Sequence, residues 1–228
     1  MISSALKQRL LSIIILLPLT IYVMIAGGWV FKIFVGLAFG LAVREWLRMA
    51  RKTGYLWRDG PIGCLYLLFC FMTFIFLREE FDQGLFFTVT LLFGVWASDS
   101  AAYFSGKWIG GPKMAPKISP NKTWAGFIGG TIGSGIILVM FDYFVPYFSN
   151  KAGFDVLPFA PLETAFVIGA FFTVFGQIGD LGMSWYKRKA GVKDTGTLIP
   201  GHGGLLDRID SLALVTPFFF LVLHYLAS

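Results

Sequence analysis

Seven stretches of mostly apolar residues, each long enough to cross a lipid bilayer as a helix, run the length of the chain. They lie at roughly 10–27, 29–48, 61–78, 84–105, 122–146, 163–186 and 206–227. A water-soluble domain could not hide so much apolar surface. Charged residues are 14% of the 228, and mean hydropathy is +0.72, against about 25% charge in an ordinary soluble domain. Disorder is excluded by the same numbers. Cys64 and Cys70 cannot build a disulfide framework. A net charge of +6 is modest for a nucleic-acid binder, so no nucleic-acid partner is expected. The first stretch follows Lys7 and Arg9, lacks a small-residue cleavage site and precedes six more, so it reads as a retained helix rather than a signal peptide. The expected fold class is all-α: a polytopic integral membrane helical bundle of about seven transmembrane helices. It forms a single transmembrane domain over 1–228.

The positions of the rare charges then orient the bundle. Lys7 and Arg9 precede the first span. Arg44, Arg48, Arg51, Lys52 and Arg58 surround the second connection. Lys107, Lys113, Lys117 and Lys122 occupy the fourth, and Lys187, Arg188, Lys189, Lys193 and Arg208 the sixth. That places 16 of the 19 cations on one face. The N-terminus and the even-numbered connections are therefore expected on the cytoplasmic side. Gly36-x-x-x-Gly40, Gly126-x-x-x-Gly130 and Gly129-x-x-x-Gly133 are read as close-packing faces between helices.

Ionisable groups inside spans are costly and mark functional positions. Glu45, Asp99, Asp180, Asp207 and Asp210 are the candidates. On a continuous helix Asp180, Ser184, Lys187 and Arg188 share one face. They offer a carboxylate, a hydroxyl and two cations, the inventory that a divalent metal and phosphates require. Asp207, Asp210 and Ser211 share a face of the last span, with Arg208 beside them. Two aspartates there, opposite Asp180, point to a bound divalent cation more than to helix capping alone. Between them Lys193, Asp194 and the run Pro200-Gly201-His202-Gly203-Gly204 form a glycine-rich loop opening onto a helix. Such a loop suits close approach of backbone to an anion, although a flexible turn reads equally well. His202 is either an acid, base or phosphate donor or a structural histidine. In the fourth connection Ser119 reads as an N-cap and Pro120 as the first helical residue of the fifth span. Asn121, Lys122 and Thr123 then stand at an anion-binding helix start. Asp99 would pair with one of these cations or assist the metal. Glu45 is expected to pair with Arg44 or Arg48.

At these residues the chain resembles the phosphatidate cytidylyltransferase (CDP-diacylglycerol synthase) family of integral membrane enzymes. The resemblance rests on Ser184-x-x-Lys187-Arg188-x4-Lys193-Asp194-x5-Pro200-x-His202-Gly203-Gly204-x2-Asp207-Arg208-x-Asp210, and on Ser119-Pro120-Asn121-Lys122-Thr123-Trp124-x-Gly126 upstream. It covers residues 95 to 228, the catalytic helices and loops; residues 1–90 match as generic N-terminal helices. Asp99-Ser100-Ala101-Ala102-Tyr103 departs from the family's usual Asp-Thr-Gly-Ala-Tyr, and the chain is short for the family.

The resemblance implies transfer of CMP from CTP to phosphatidate, giving CDP-diacylglycerol and pyrophosphate for phospholipid biosynthesis. Asp180 and Asp207 would hold Mg²⁺, with room for a second, monovalent cation. Asp180, Asp207, Asp210, Lys187 and Arg188 would be catalytic. Ser184, Lys193, Asp194, His202, Gly203, Gly204, Arg208, Ser119, Asn121, Lys122, Thr123 and Asp99 would bind substrate. A homodimer in the bacterial inner (plasma) membrane, with its site on the cytoplasmic side, is implied as well. The alternatives are a CTP-dependent membrane lipid (polyprenol) kinase and, further off, an ion-coupled transporter whose carboxylates would be scattered in depth.

Overall fold

The computed structural model describes residues 4–152, 155–198 and 203–227, with side chains from residue 14 onward. It is an all-α polytopic membrane bundle. Seven helices follow the seven apolar stretches: α1 (Ser4–Ala26), α2 (Gly28–Lys52), α3 (Leu56–Glu79), α4 (Gly84–Trp108), α5 (Trp124–Lys151), α6 (Leu162–Lys189) and α7 (Leu206–Ala227). Among the described residues five helices, α3 to α7, are each long and apolar enough to cross a membrane, fewer than the seven spans expected. The described apolar part of α1 is a shorter helix, Ile14–Ala26, and α2 falls short, its stretch broken by Lys32, Arg44 and Glu45. Most helices overrun their apolar stretches by a turn of polar residues. Intrahelical hydrogen bonds do not stop where hydropathy does, so composition marks the membrane rather than the helix ends.

Many large apolar side chains, Leu37, Ile62, Leu65 and Ile128 among them, point outward. In water that would be a liability; in hydrocarbon it is the favoured surface. Inside, a phenylalanine-rich core joins α3 to α7 around Leu91, Leu138, Phe172 and Phe219. A second core joins α2, α3, α6 and α7 around Met49, Leu67, Met183 and Leu206.

The densest seam is α4 against α5. A Cβ added at Gly129 would run into the Ser105 side chain, one at Gly126 would come 2.7 Å from the Ala102 carbonyl, and one at Gly133 2.5 Å from the Ala101 Cβ. The two glycine motifs on α5 therefore do pack helices, as expected. Gly36 and Gly40 on α2 do not: nothing lies within 4 Å of a Cβ at either. Buried hydroxyls add polar contacts between spans. Thr173 of α6 lies 2.7 Å from Ser98 of α4 and 2.9 Å from Ser134 of α5, oxygen to oxygen.

The connection after α4 is a short antiparallel hairpin, β1 (Lys113–Ala115) with β2 (Ser119–Thr123). This corrects the expected start of the fifth span. Ser119 is not its N-cap, and Pro120 is not helical. Pairing of Lys113 with Thr123 keeps the chain extended through Thr123. Thr123 is the cap instead, its hydroxyl accepting from Gly126 N at 3.0 Å.

The even-numbered connections gather at one end of the bundle. Asp59 at the start of α3 accepts from Lys189 at the end of α6, 2.8 Å, and Lys122 of β2 pairs with Asp180 of α6. At the opposite end Arg78 Nε donates to Met24 O at 3.0 Å, and Gly28 N to Glu79 at 2.9 Å. Cations thus concentrate at the end bearing the hairpin and the α6–α7 loop, called here the charged end.

Candidate active site

Asp180 stands on α6 about two and a half turns before the helix end at Lys189. Its Oδ1 accepts from Ser184 Oγ at 3.2 Å, the i+4 contact that the stripe requires, and its Oδ2 carries the Lys122 ammonium. Asp99 on α4 and Asp210 on α7 both lie within Coulombic reach of Asp180 and of each other. Three helices and the hairpin therefore converge on one place. Close approach of α7 to α6 is possible because Gly179 has no side chain; a Cβ there would sit 2.5 Å from the Asp210 carbonyl.

Asp207 is placed differently from its neighbour on α7. Its Oδ1 pairs with Lys187 at 2.8 Å, and its Oδ2 accepts from Thr195 N at 2.8 Å and Gly204 N at 3.0 Å, with Thr195 Oγ, 3.1 Å away, sharing its one proton between Asp207 and Glu45. Both oxygens are engaged. In this arrangement Asp207 fastens the α6–α7 loop and aims Lys187 toward the aspartates, since Lys187 is itself within Coulombic reach of Asp210.

The glycines of this loop have steric reasons. Gly203 has φ +92°, a left-handed conformation that side chains resist. A Cβ at Gly204 would strike the Thr195 hydroxyl and come 2.5 Å from Glu45 Oε2. Ile199, Pro200, Gly201 and His202 lie outside the described residues. Arg188, Lys193 and Asp194 are exposed at the charged end. Ser119 is half-buried and Asn121 exposed on β2. Arg208 is exposed and lines a large apolar cavity.

One candidate carboxylate has other partners than expected, and two buried carboxylates, Asp59 and Asp142, escaped the sequence reading. Glu45 does not pair with Arg44 or Arg48. It is 5% exposed and accepts from Leu205 N at 2.9 Å, Leu206 N at 3.0 Å and Thr195 Oγ at 2.8 Å. It caps the N-terminus of α7 from α2, 160 residues away, where a negative charge also meets the positive helix end. Asp59, buried beside Arg58, gathers Lys189, Thr53 and Tyr186. Asp142 is fully buried in α5 and accepts from Phe159 N at 2.7 Å, ordering the α5–α6 connection. Glu45 carried a usable signal, a charge inside an apolar stretch, but its partners are backbone amides that no sequence spacing reveals.

Among the described residues, no three acidic, histidine or cysteine side chains converge closely enough to coordinate an ion as they stand. The charge inventory nevertheless suits a divalent cation. Asp99, Asp180 and Asp210 bring three carboxylates, Lys122 pairs with Asp180, and Lys187 is taken by Asp207. Two negative charges are left over, on hard oxygen donors of the kind Mg²⁺ takes.

The chain is similar to known proteins. A sequence model of the Cytidylyltransferase family matches residues 58–226. A phosphatidate cytidylyltransferase of Haemophilus influenzae is 42% identical over 181 residues, 74% of this chain and 59% of that protein. One of Rickettsia conorii is 34% identical over 225 residues, 96% of this chain and 91% of that protein. One of Brucella suis is 39% identical over 184 residues, 79% and 60% respectively. The chain thus spans about three fifths of the Haemophilus and Brucella proteins and nearly all of the Rickettsia one. Matched over most of its length by both comparisons, the chain belongs to the Cytidylyltransferase family.

Proposed function

We propose that the protein transfers CMP from CTP to phosphatidate, forming CDP-diacylglycerol and pyrophosphate, as the names of its relatives say of them. The observation that carries this reading is the convergence of Asp99, Asp180 and Asp210 with Lys122 and Lys187 at the charged end of a membrane bundle. A soluble polyanion and a membrane lipid can both reach such a place.

In the reaction, a phosphate oxygen of phosphatidate attacks the α-phosphorus of CTP. The bond from that phosphorus to the bridging oxygen breaks, and pyrophosphate leaves with its electron pair. The nucleophile is already an anion, so no strong general base is needed. What the chain must supply is charge neutralisation and alignment. Asp180, with Asp210 and Asp99 beside it, would hold Mg²⁺; Asp207, the other expected ligand, would join only on releasing Lys187 or the loop amides. When bound, the ion screens phosphate charge and orients the triphosphate. Lys122 and Lys187, both beside the cluster, would neutralise the pyrophosphate, with Arg188 and Lys193 exposed at the same end. Asp207 and Glu45 hold the loop and Lys187 in position. We assign the charged end to the cytoplasmic side of a bacterial inner membrane, on the placement of 16 of 19 cations. We also assign a homodimer, supported by the unpacked Gly36-x-x-x-Gly40 face of α2.

Labelled CTP separates this from the kinase reading. With purified protein, Mg²⁺ and phosphatidate, label at the α-phosphate should enter the lipid and label at the γ-phosphate should leave as pyrophosphate. Lipid labelled from the γ position would overturn nucleotidyl transfer in favour of phosphoryl transfer.

A further inference from the structure

On the face of α7 turned away from Asp180 lies an apolar cavity of about 670 Å³, within the size range of ligand sites. Val23, Ala38, Phe74, Trp96 and Ala213 represent the five helices that wall it, α1, α2, α3, α4 and α7. Among the described residues, Arg208 is the one charged side chain on its wall. Leu41 and Leu198 are shared with a second, smaller cavity of about 280 Å³, polar in character, lined by Arg44, Glu45, Arg48 and residues 196–198 of the loop. Glu45 is already committed to the α7 amides. Arg44 and Arg48, one turn apart on α2, make no ion pair among the described residues. The pair of cavities is therefore apolar along most of its length and cationic at one end, where Arg44 and Arg48 line the smaller chamber.

We propose that the apolar cavity seats acyl chains of the lipid substrate and that Arg44 and Arg48 hold its phosphate on the way to CTP. The assignment rests on the CMP-transfer reading. Charge and shape are complementary: a long apolar body with a phosphate head matches an apolar chamber with guanidiniums at one end, and guanidiniums grip phosphate in bidentate fashion. A nucleotide matches it poorly, because beyond the faces of its base it is sugar and triphosphate, which an apolar wall cannot satisfy. The site also gives α1 and α2 a role. Both precede the segment that the family model matches, and both contribute wall.

The test uses the full chain in detergent and varies lipid chain length. Ala38→Phe and Ala213→Phe fill the cavity from opposite walls. Each should raise KM for dioleoyl phosphatidate about tenfold, the loss expected from excluding a few methylenes, while KM for CTP and for dihexanoyl phosphatidate stays within about twofold. Arg44→Ala with Arg48→Ala should raise KM for both lipids and leave KM for CTP unchanged. Unaltered lipid KM in the filled variants, or a rise confined to CTP in the arginine variant, would overturn the assignment. A photoactivatable phosphatidate on the wild-type protein covers variants that fail to fold. Labelling should fall on α2 and α7 residues of the cavity; labelling elsewhere, or cross-linking of two copies through Ala38→Cys, would overturn it. Since photolabelling needs no CTP, wild-type protein that labels but transfers no CMP would refute the reaction and leave the lipid seat standing.

Discussion

Glu45 and Gly204 meet in the tightest part of the loop, and each gives a sharp expectation. Glu45→Ala would strand two buried amides and a hydroxyl. That should cost about 2–4 kcal/mol at the usual 1–3 per unsatisfied group, partly relieved by water, and should lower the thermal midpoint in detergent. Glu45→Gln keeps one acceptor oxygen and should recover part of the loss. If both variants melt like wild type, Glu45 does not hold the start of α7. Gly204→Ala places a methyl against Thr195 and Glu45. It should reduce CMP transfer by about 100-fold or more, as when a catalytic loop donor is lost, with helical circular dichroism intact. The glycines read from the sequence either as a loop of close approach or as a flexible turn, and what approaches them was not legible: the crowding atoms come from Thr195 in the same loop and from Glu45, far off in the chain. Asp207 shows the same limit. It was expected to ligate a metal, while its engagement by Lys187, Thr195 and Gly204 depends on a loop path that spacing cannot give.

At the scale of elements, seven helices followed directly from seven apolar stretches, because only a helix satisfies its own backbone in hydrocarbon. The ends did not follow, since hydrogen bonding carries the helices into polar sequence. The hairpin was missed for a related reason: Ser-Pro suits a helix start in isolation, and pairing with Lys113–Ala115 overrides it. Glycine motifs identical in spacing have different fates, and this is testable. Gly129→Ala must push α4 from α5 and should cost about 1–3 kcal/mol, the usual range for overpacking, read as a lower unfolding midpoint. Gly36→Ala should leave the monomer's midpoint unchanged. Equal effects at the two positions would show that the α4–α5 seam is not as drawn.

Over the whole molecule, the charge distribution was the most legible property, because it is a count rather than a contact. It sorts cations to one end, and the fold brings the hairpin, the α6–α7 loop and the aspartates to that same end. Single cysteines introduced at Lys117 and at Lys151, in protein with Cys64 and Cys70 replaced by alanine, should differ in access to a membrane-impermeant thiol reagent added to intact cells. The Lys151 site should react and the Lys117 site should not. The reverse pattern would invert the bundle.

The central claim is that the aspartate cluster on α4, α6 and α7 performs metal-assisted CMP transfer. Its most direct measurement is CMP transfer from CTP to phosphatidate by the purified chain, across a Mg²⁺ titration, for wild type and for Asp180→Asn. Wild type should be active and saturate with Mg²⁺, and Asp180→Asn should lose about 100-fold or more of that activity. Wild-type activity in Asp180→Asn at the same Mg²⁺ requirement would contradict the account.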